Sequence, residues 1–99
     1  MDELYEFNGC CFVWDVRKAR ANLLKHGVAF EQATEAFFDP FLRVVDSNNV
    51  DGGESRDALL GMDETLSLLF VVHIAIEDEQ FRIISARPAT AHERKHYES

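Results

Sequence analysis

The connections in the second half of the chain are too short to leave a choice of topology. Strand-like stretches at residues 56–62, 66–76 and 80–86 are separated only by Asp63-Glu64-Thr65 and by Glu77-Asp78-Glu79. A parallel crossover needs about a dozen residues, so these turns dictate an antiparallel meander. A further strand is expected at 41–46, joined to the meander by a polar, glycine-ended loop at 47–53. Near the amino terminus, Phe12-Val13-Trp14 reads as another short strand of aromatic and β-branched residues.

Helices fill the space between. Asp15 stands where an N-cap belongs, with Ala19, Leu23 and Leu24 behind it as an i, i+4, i+5 stripe. His26-Gly27 closes this helix, because glycine adopts the left-handed conformation that ends one. A second helix over 30–38 carries Phe30, Ala33, Ala36 and Phe37 on one face and stops before Pro40. Both helices are too short to persist without packing. Thr90-Ala91-His92-Glu93 matches a capping box and predicts a last helix over 91–98. The expected fold is α+β. Two N-terminal helices and one C-terminal helix lie on a mostly antiparallel sheet, in the order β-α-α-β-β-β-β-α.

A chain of 99 residues fits one domain over 1–99, and 46% apolar with 11% aromatic residues is a globular composition. No uninterrupted apolar run exceeds five residues, of which 68–72 is one, far short of the roughly 20 needed to span a bilayer. Met1-Asp2-Glu3-Leu4 is acidic and lacks the apolar stretch of a signal peptide, so a cytoplasmic protein with no membrane partner is expected. Adjacent Cys10 and Cys11 are expected to be free thiols, since neighbouring cysteines bridge only under severe strain.

Eighteen acidic against ten basic side chains give a net charge of −8, which weighs against nucleic acid. The distribution reverses that reading. Residues 16–30 hold Arg17, Lys18, Arg20 and Lys25 with no acid, and residues 80–97 hold Arg82, Arg87, Arg94 and Lys95 against Glu93 alone. The remainder carries two arginines against seventeen carboxylates. A fold that joins the two basic stretches makes a positive patch on a negative body, and net charge says nothing of what one face binds.

Among residues that carry chemistry, His92 and His96 have the i, i+4 spacing of a metal pair, but no further ligand is spaced to join them. They read as exposed histidines, with no metal and no cofactor expected. No glycine-rich phosphate loop, nucleophile elbow or CxxC is present. Arg82 interrupts an apolar strand and either faces solvent or reaches a phosphate. Arg87, just before Pro88, and Arg94 can hold a phosphodiester bidentately. His26 is either a helix-end cap or a group for proton transfer near neutral pH. Glu54 beside Arg56 is an ion pair or a base. Tyr97 is a core-facing aromatic or a proton donor.

A longer pattern runs through these residues. It comprises Trp14-Asp15, Lys18, Asn22, Lys25-His26-Gly27-Val28, Phe30, Ala33, Phe37 and Asp39-Pro40, then Glu54-x-Arg56 and Leu60-Gly61. It ends with Arg82-Ile83-Ile84-Ser85-Ala86-Arg87-Pro88-Ala89-Thr90, Glu93-Arg94 and Tyr97. Over about residues 12–98 the chain resembles the BrnT toxins of bacterial type II toxin–antitoxin systems. The resemblance implies a RelE-like ribonuclease fold and inhibition of translation by RNA cleavage. It also implies neutralisation by a BrnA-like antitoxin with a ribbon-helix-helix domain, and DNA contact only through that complex. Cleavage without a metal needs a base for the ribose 2′-OH, cations for the phosphate and a donor for the leaving oxygen. For the phosphate the expected holders are Arg56, Arg87 and Arg94, with Arg82, Lys18 and Lys95 in substrate binding. His26, Glu54 or Tyr97 then transfers protons, and Lys25 suits either role. The chain departs from the pattern at Ala91, His92 and His96, where relatives carry more arginine, and at Glu54-Ser55-Arg56, where Glu-Glu-Arg is frequent. Fewer cations imply weaker attachment to RNA. The alternative reading is a binding module, weak or inactive in catalysis, that acts through its antitoxin or another partner.

Overall fold

The meander forms as its turns require. In this computed structural model, which describes residues 1–45, 56–77 and 79–99, β4 (Asp57–Met62), β5 (Leu68–Glu77) and β6 (Gln80–Pro88) pair antiparallel in sequence. Before them come β1 (Asp2–Phe7), β2 (Cys10–Asp15), α1 (Val16–His26), α2 (Phe30–Ala36) and β3 (Arg43–Val45); α3 (Ala91–Glu98) follows. The sheet runs β1-β2-β6-β5-β4-β3. Its pairs are antiparallel except β2 with β6, which are parallel over Cys11–Val13. The α+β architecture and element order match the expectation with one addition, the strand β1. The expected loop at 47–53 lies outside the described residues, as does Asp78 of the second turn.

β1 has a local cause that its acidic composition hid. Asn8 and Gly9 have φ of 51° and 83°, the left-handed pair of a tight hairpin turn, and Phe7 faces Cys10 across it. Asn-Gly is the sequence that best tolerates this geometry.

The core is one cluster containing Phe12, Trp14, Phe30, Leu69, Val71 and Ile83. Phe30, Ala33 and Ala36 of α2 are buried as their spacing predicts, against β4, β5 and β6. The close approach is possible because of Gly61. A Cβ there would lie 2.4 Å from the carbonyl oxygen of Ala36, so a side chain at this position would push the end of α2 off β4.

The first helix differs from its expected packing. Leu24 is 84% exposed and Leu23 49% exposed, and the buried residue of α1 is Asn22. The reason is a gap in the sheet. Past Arg82, β6 has no β2 residue beside it, so its outer edge presents unpaired backbone groups. The Asn22 amide fills that gap: Nδ2 donates to the Ala86 carbonyl at 2.8 Å, and Oδ1 accepts from the Ala86 N–H at 3.1 Å. Nδ2 also donates to the Val28 carbonyl at 2.9 Å. One side chain thus replaces a strand.

Ile84 forms a bulge, since Ser85 pairs with Val72 and Ile83 with His73. The bulge shifts the alternation, so Ile83 and Ala86 both face the core and Arg87 points away from it. The same irregularity seats His73 among aromatic rings, 4.8 Å from Phe37 and 5.7 Å from Phe81. Burial pushes the His73 imidazole below its ordinary pKa, against a weaker upward pull from the Val71 carbonyl and Asp57.

The turn after β4 is held by Asp63. Its Oδ1 accepts from the N–H groups of Thr65 at 2.8 Å and Ser67 at 2.9 Å. This network fixes Leu66 at φ 66°, a left-handed conformation that costs a branched residue about 1–2 kcal/mol.

Two outcomes test this account. Asn22→Ala leaves three buried backbone hydrogen bonds unmade and lowers the unfolding free energy by at least about 2 kcal/mol in urea denaturation. For His73, the unfolded chain takes up a proton near pH 6.5 and the folded chain only at lower pH. Stability therefore falls as pH drops below about 6.5. His73→Phe flattens the pH dependence of Tm in that window and leaves untouched the acid loss below about pH 4 that comes from the carboxylates.

Candidate functional site

The packing of α1 on β6 brings the two basic stretches side by side. Two neighbouring clefts result, and both are lined by His26. One, of about 220 Å³, has Lys18, Asn22, Lys25 and His26 from α1 facing Ile84 and Ser85 of β6. The other, of about 390 Å³, runs from His26 and Gly27 past Ser67 and Pro88 to Arg94 on α3. His26 is half-buried in the last helical turn, and Gly27 at φ 72° ends α1 with its N–H on the Leu23 carbonyl at 2.9 Å. The ring is thereby held where α1 stops, beside Lys25.

The start of α3 is fixed by its capping box. Thr90 Oγ1 accepts from the Glu93 N–H at 3.1 Å, and the Thr90 N–H donates to Glu93 Oε1 at 2.9 Å. The same carboxylate takes both arms of the Arg87 guanidinium, at 2.9 and 2.8 Å. Arg87 also lies 4.3 Å above the Phe70 ring, its cross-strand neighbour. The Arg87 hydrogen bonds hold the Glu93 carboxyl below its usual range and, reciprocally, raise the guanidinium. Arg87 is therefore rigid and neutralised. Arg94, one residue beyond Glu93, is 47% exposed on its side chain with Glu98 at 3.9 Å, and it is the cation that α3 presents to the cleft.

Tyr97 follows Glu93 by one helical turn. Its hydroxyl donates to Asp39 Oδ2 at 2.5 Å. That carboxylate also accepts from the N–H groups of Met62 and Phe41, both at 2.8 Å. Burial, then Asp39, pushes the Tyr97 phenol up to about 12. Burial pushes Asp39 up, but the three donors together hold it below its ordinary value. Tyr97 is thus protonated at neutral pH with its proton directed at Asp39, and it lines a third groove rather than the His26 clefts.

The expected site residues are divided by the fold. Lys18, Lys25, His26 and Arg94 line the paired clefts. Arg82 sits farther along β6 in an ion pair with Asp2 at 2.7 Å. Arg56 is exposed immediately before β4, and Lys95 is exposed on α3. Glu54 lies outside the described residues. His92 and His96 are both exposed on α3. Two residues that support the clefts carried faint sequence signals. Asn22 is a poor helix former in a helix interior. Asp63 opens a turn and also accepts from Gln32 Nε2 at 2.6 Å, which ties α2 to the rim.

Residues 14–93 match the family described as ribonuclease toxin, BrnT, of type II toxin–antitoxin system. The chain is also similar to the crystal structure of the Brucella abortus ribonuclease toxin BrnT. Identity is 26% and the TM-score 0.54, over 78% of this chain and 92% of that one. No curated protein matches it.

The Glu93–Arg87 pair makes a clear prediction. Glu93→Gln keeps a side chain able to cap α3 but releases the Arg87 charge. Binding of a labelled single-stranded RNA is expected to strengthen severalfold at low salt, and the slope of log K against log salt to steepen by about 0.7.

Proposed function

The chain belongs to the BrnT family of ribonuclease toxins from type II toxin–antitoxin systems, and from that membership we propose that it cleaves RNA using side chains alone. The observation that carries this reading is His26, shared by a cleft bearing Lys18 and Lys25 and a cleft bearing Arg94. A group able to move protons near neutral pH stands between cations on both sides, the arrangement that phosphodiester cleavage needs.

In this scheme the ribose 2′-oxygen attacks the adjacent phosphorus. The O2′–P bond forms as the P–O5′ bond breaks, leaving a 2′,3′-cyclic phosphate and a 5′-hydroxyl. His26 removes the 2′-OH proton, Arg94 holds the non-bridging oxygens, and Lys18 and Lys25 track the flanking phosphates. Arg87 contributes to the phosphate only by exchanging Glu93 for it, and Tyr97 donates a proton to the leaving oxygen only by leaving Asp39. Arg56, Arg82, Lys95 and Glu54 belong to the wider RNA path in this reading. Cleavage in the cytoplasm would inhibit translation. The partner is a BrnA-like ribbon-helix-helix antitoxin, through which alone the toxin meets DNA.

The neutralised Arg87 favours one alternative, a binding module with little catalysis. Incubation of the purified chain with labelled RNA in EDTA separates the two. Wild-type protein is expected to cut and leave cyclic-phosphate ends, with Arg94→Ala and His26→Ala slower by about 10²–10³ and 10²–10⁴ respectively. If wild-type protein leaves RNA intact with and without ribosomes, the nuclease reading falls and the binding module replaces it.

A further inference from the structure

A groove of about 430 Å³ lies apart from the clefts around His26. Its apolar lining includes Phe7, Phe38, Phe41 and Leu66, with Phe7 and Phe38 packed edge to face at 5.4 Å. Four carboxylates also line it, from Glu35, Asp39, Asp63 and Glu64. No cation lines it. Phe41 is 74% exposed and Leu66 75% exposed, so two large apolar side chains stand in water around a concave surface.

Leu66 is the more informative of the two. It occupies a left-handed backbone position where glycine or asparagine would be unstrained, and its exposed side chain gains little within the chain in return. The Asp63 network holds it there as a fixed knob. Leu66 also lines the cleft that contains His26 and Arg94, so one side chain forms the ridge between the acidic groove and the basic one.

We infer that this groove is the docking surface for the antitoxin, which inserts a segment with two or three apolar side chains flanked by Lys or Arg. The inference rests on the toxin–antitoxin reading above and adds where and how the partner binds. Charge selects the occupant: four carboxylates around an apolar floor repel RNA and attract a basic amphipathic segment. Position supplies the inhibition. A segment seated over Leu66 overhangs the His26–Arg94 cleft, so neutralisation works by covering the RNA path from its acidic side without displacing Arg94.

The test uses the full chain and a BrnA-like ribbon-helix-helix antitoxin, with Kd measured at two salt concentrations. Leu66→Gly and Phe41→Ser are each expected to weaken binding at least about tenfold, the loss of one buried large apolar side chain. Leu66→Gly should do so with Tm unchanged or raised, which a merely structural role for Leu66 would not produce. Leu24→Ser, on the exposed side of α1, should bind like the wild type, and bound antitoxin should block RNA binding. Wild-type affinity in both groove variants would overturn the docking surface while leaving the antitoxin reading intact. Failure of the wild-type chain to bind the antitoxin would overturn both. A self-dimer of the chain alone that Leu66→Gly dissociates would assign the groove to a second copy and also overturn the proposal.

Discussion

The fold turns on one side-chain amide. Asn22 stands where the sheet runs out of strand, and it satisfies the N–H and the C=O of Ala86 as a neighbouring peptide would. Without such a partner, the end of β6 would bury or expose unpaired backbone groups, each costly to leave unmet. The bond also decides how α1 lies, because the helix must bring residue 22 to the strand edge. Leu23 and Leu24 are consequently turned outward, and Lys18, Lys25 and His26 are set against β6. The positive face therefore follows from a sheet-completing hydrogen bond rather than from hydrophobic packing of the helix.

Around α3, carboxylates do the corresponding work. Glu93 joins the capping box of α3 to Arg87, and Asp39 joins the end of α2 to β4 and to Tyr97. Each carboxylate collects at least three donors, so that Glu93 ties β6 to the start of α3 and Asp39 ties the end of α2 to β4 and α3. The same bonds restrain chemistry: Arg87 is neutralised and the Tyr97 proton is committed. The clefts on either side of His26 keep Lys18, Lys25 and Arg94 available to a polyanion. An acidic body with a small basic cleft suits the proposed binding of RNA and of a basic antitoxin segment at different places.

Signals that act over a few residues are legible in the sequence. The Asp63 turn, the Asp15 N-cap, the Gly27 stop and the Thr90–Glu93 box all act within a few residues, so their geometry needs no distant partner. The Asn8-Gly9 turn is equally local, but the strand it follows is rich in acids and lacks the apolar alternation of a buried strand. Two features were illegible for a physical reason. The exposure of Leu24 depends on a strand edge more than sixty residues away, and the bulge at Ile84 depends on register with β5. Simple alternation puts Ser85 on the face of Ile83, and the bulge breaks that phase.

The candidate site divides along the same line. Sequence alone determined which residues are cationic, that they fall in two acid-poor stretches, and that His26 ends a helix. Those are properties of composition and of the first few bonds along the chain. Tertiary structure decided which of the cations share a surface. It put Lys18, Lys25, His26 and Arg94 on adjoining clefts, tied Arg82 to Asp2, and gave Arg87 to Glu93. The reason is that an arginine's availability depends on which carboxylate the fold brings within about 3 Å, and no spacing in the chain encodes that distance.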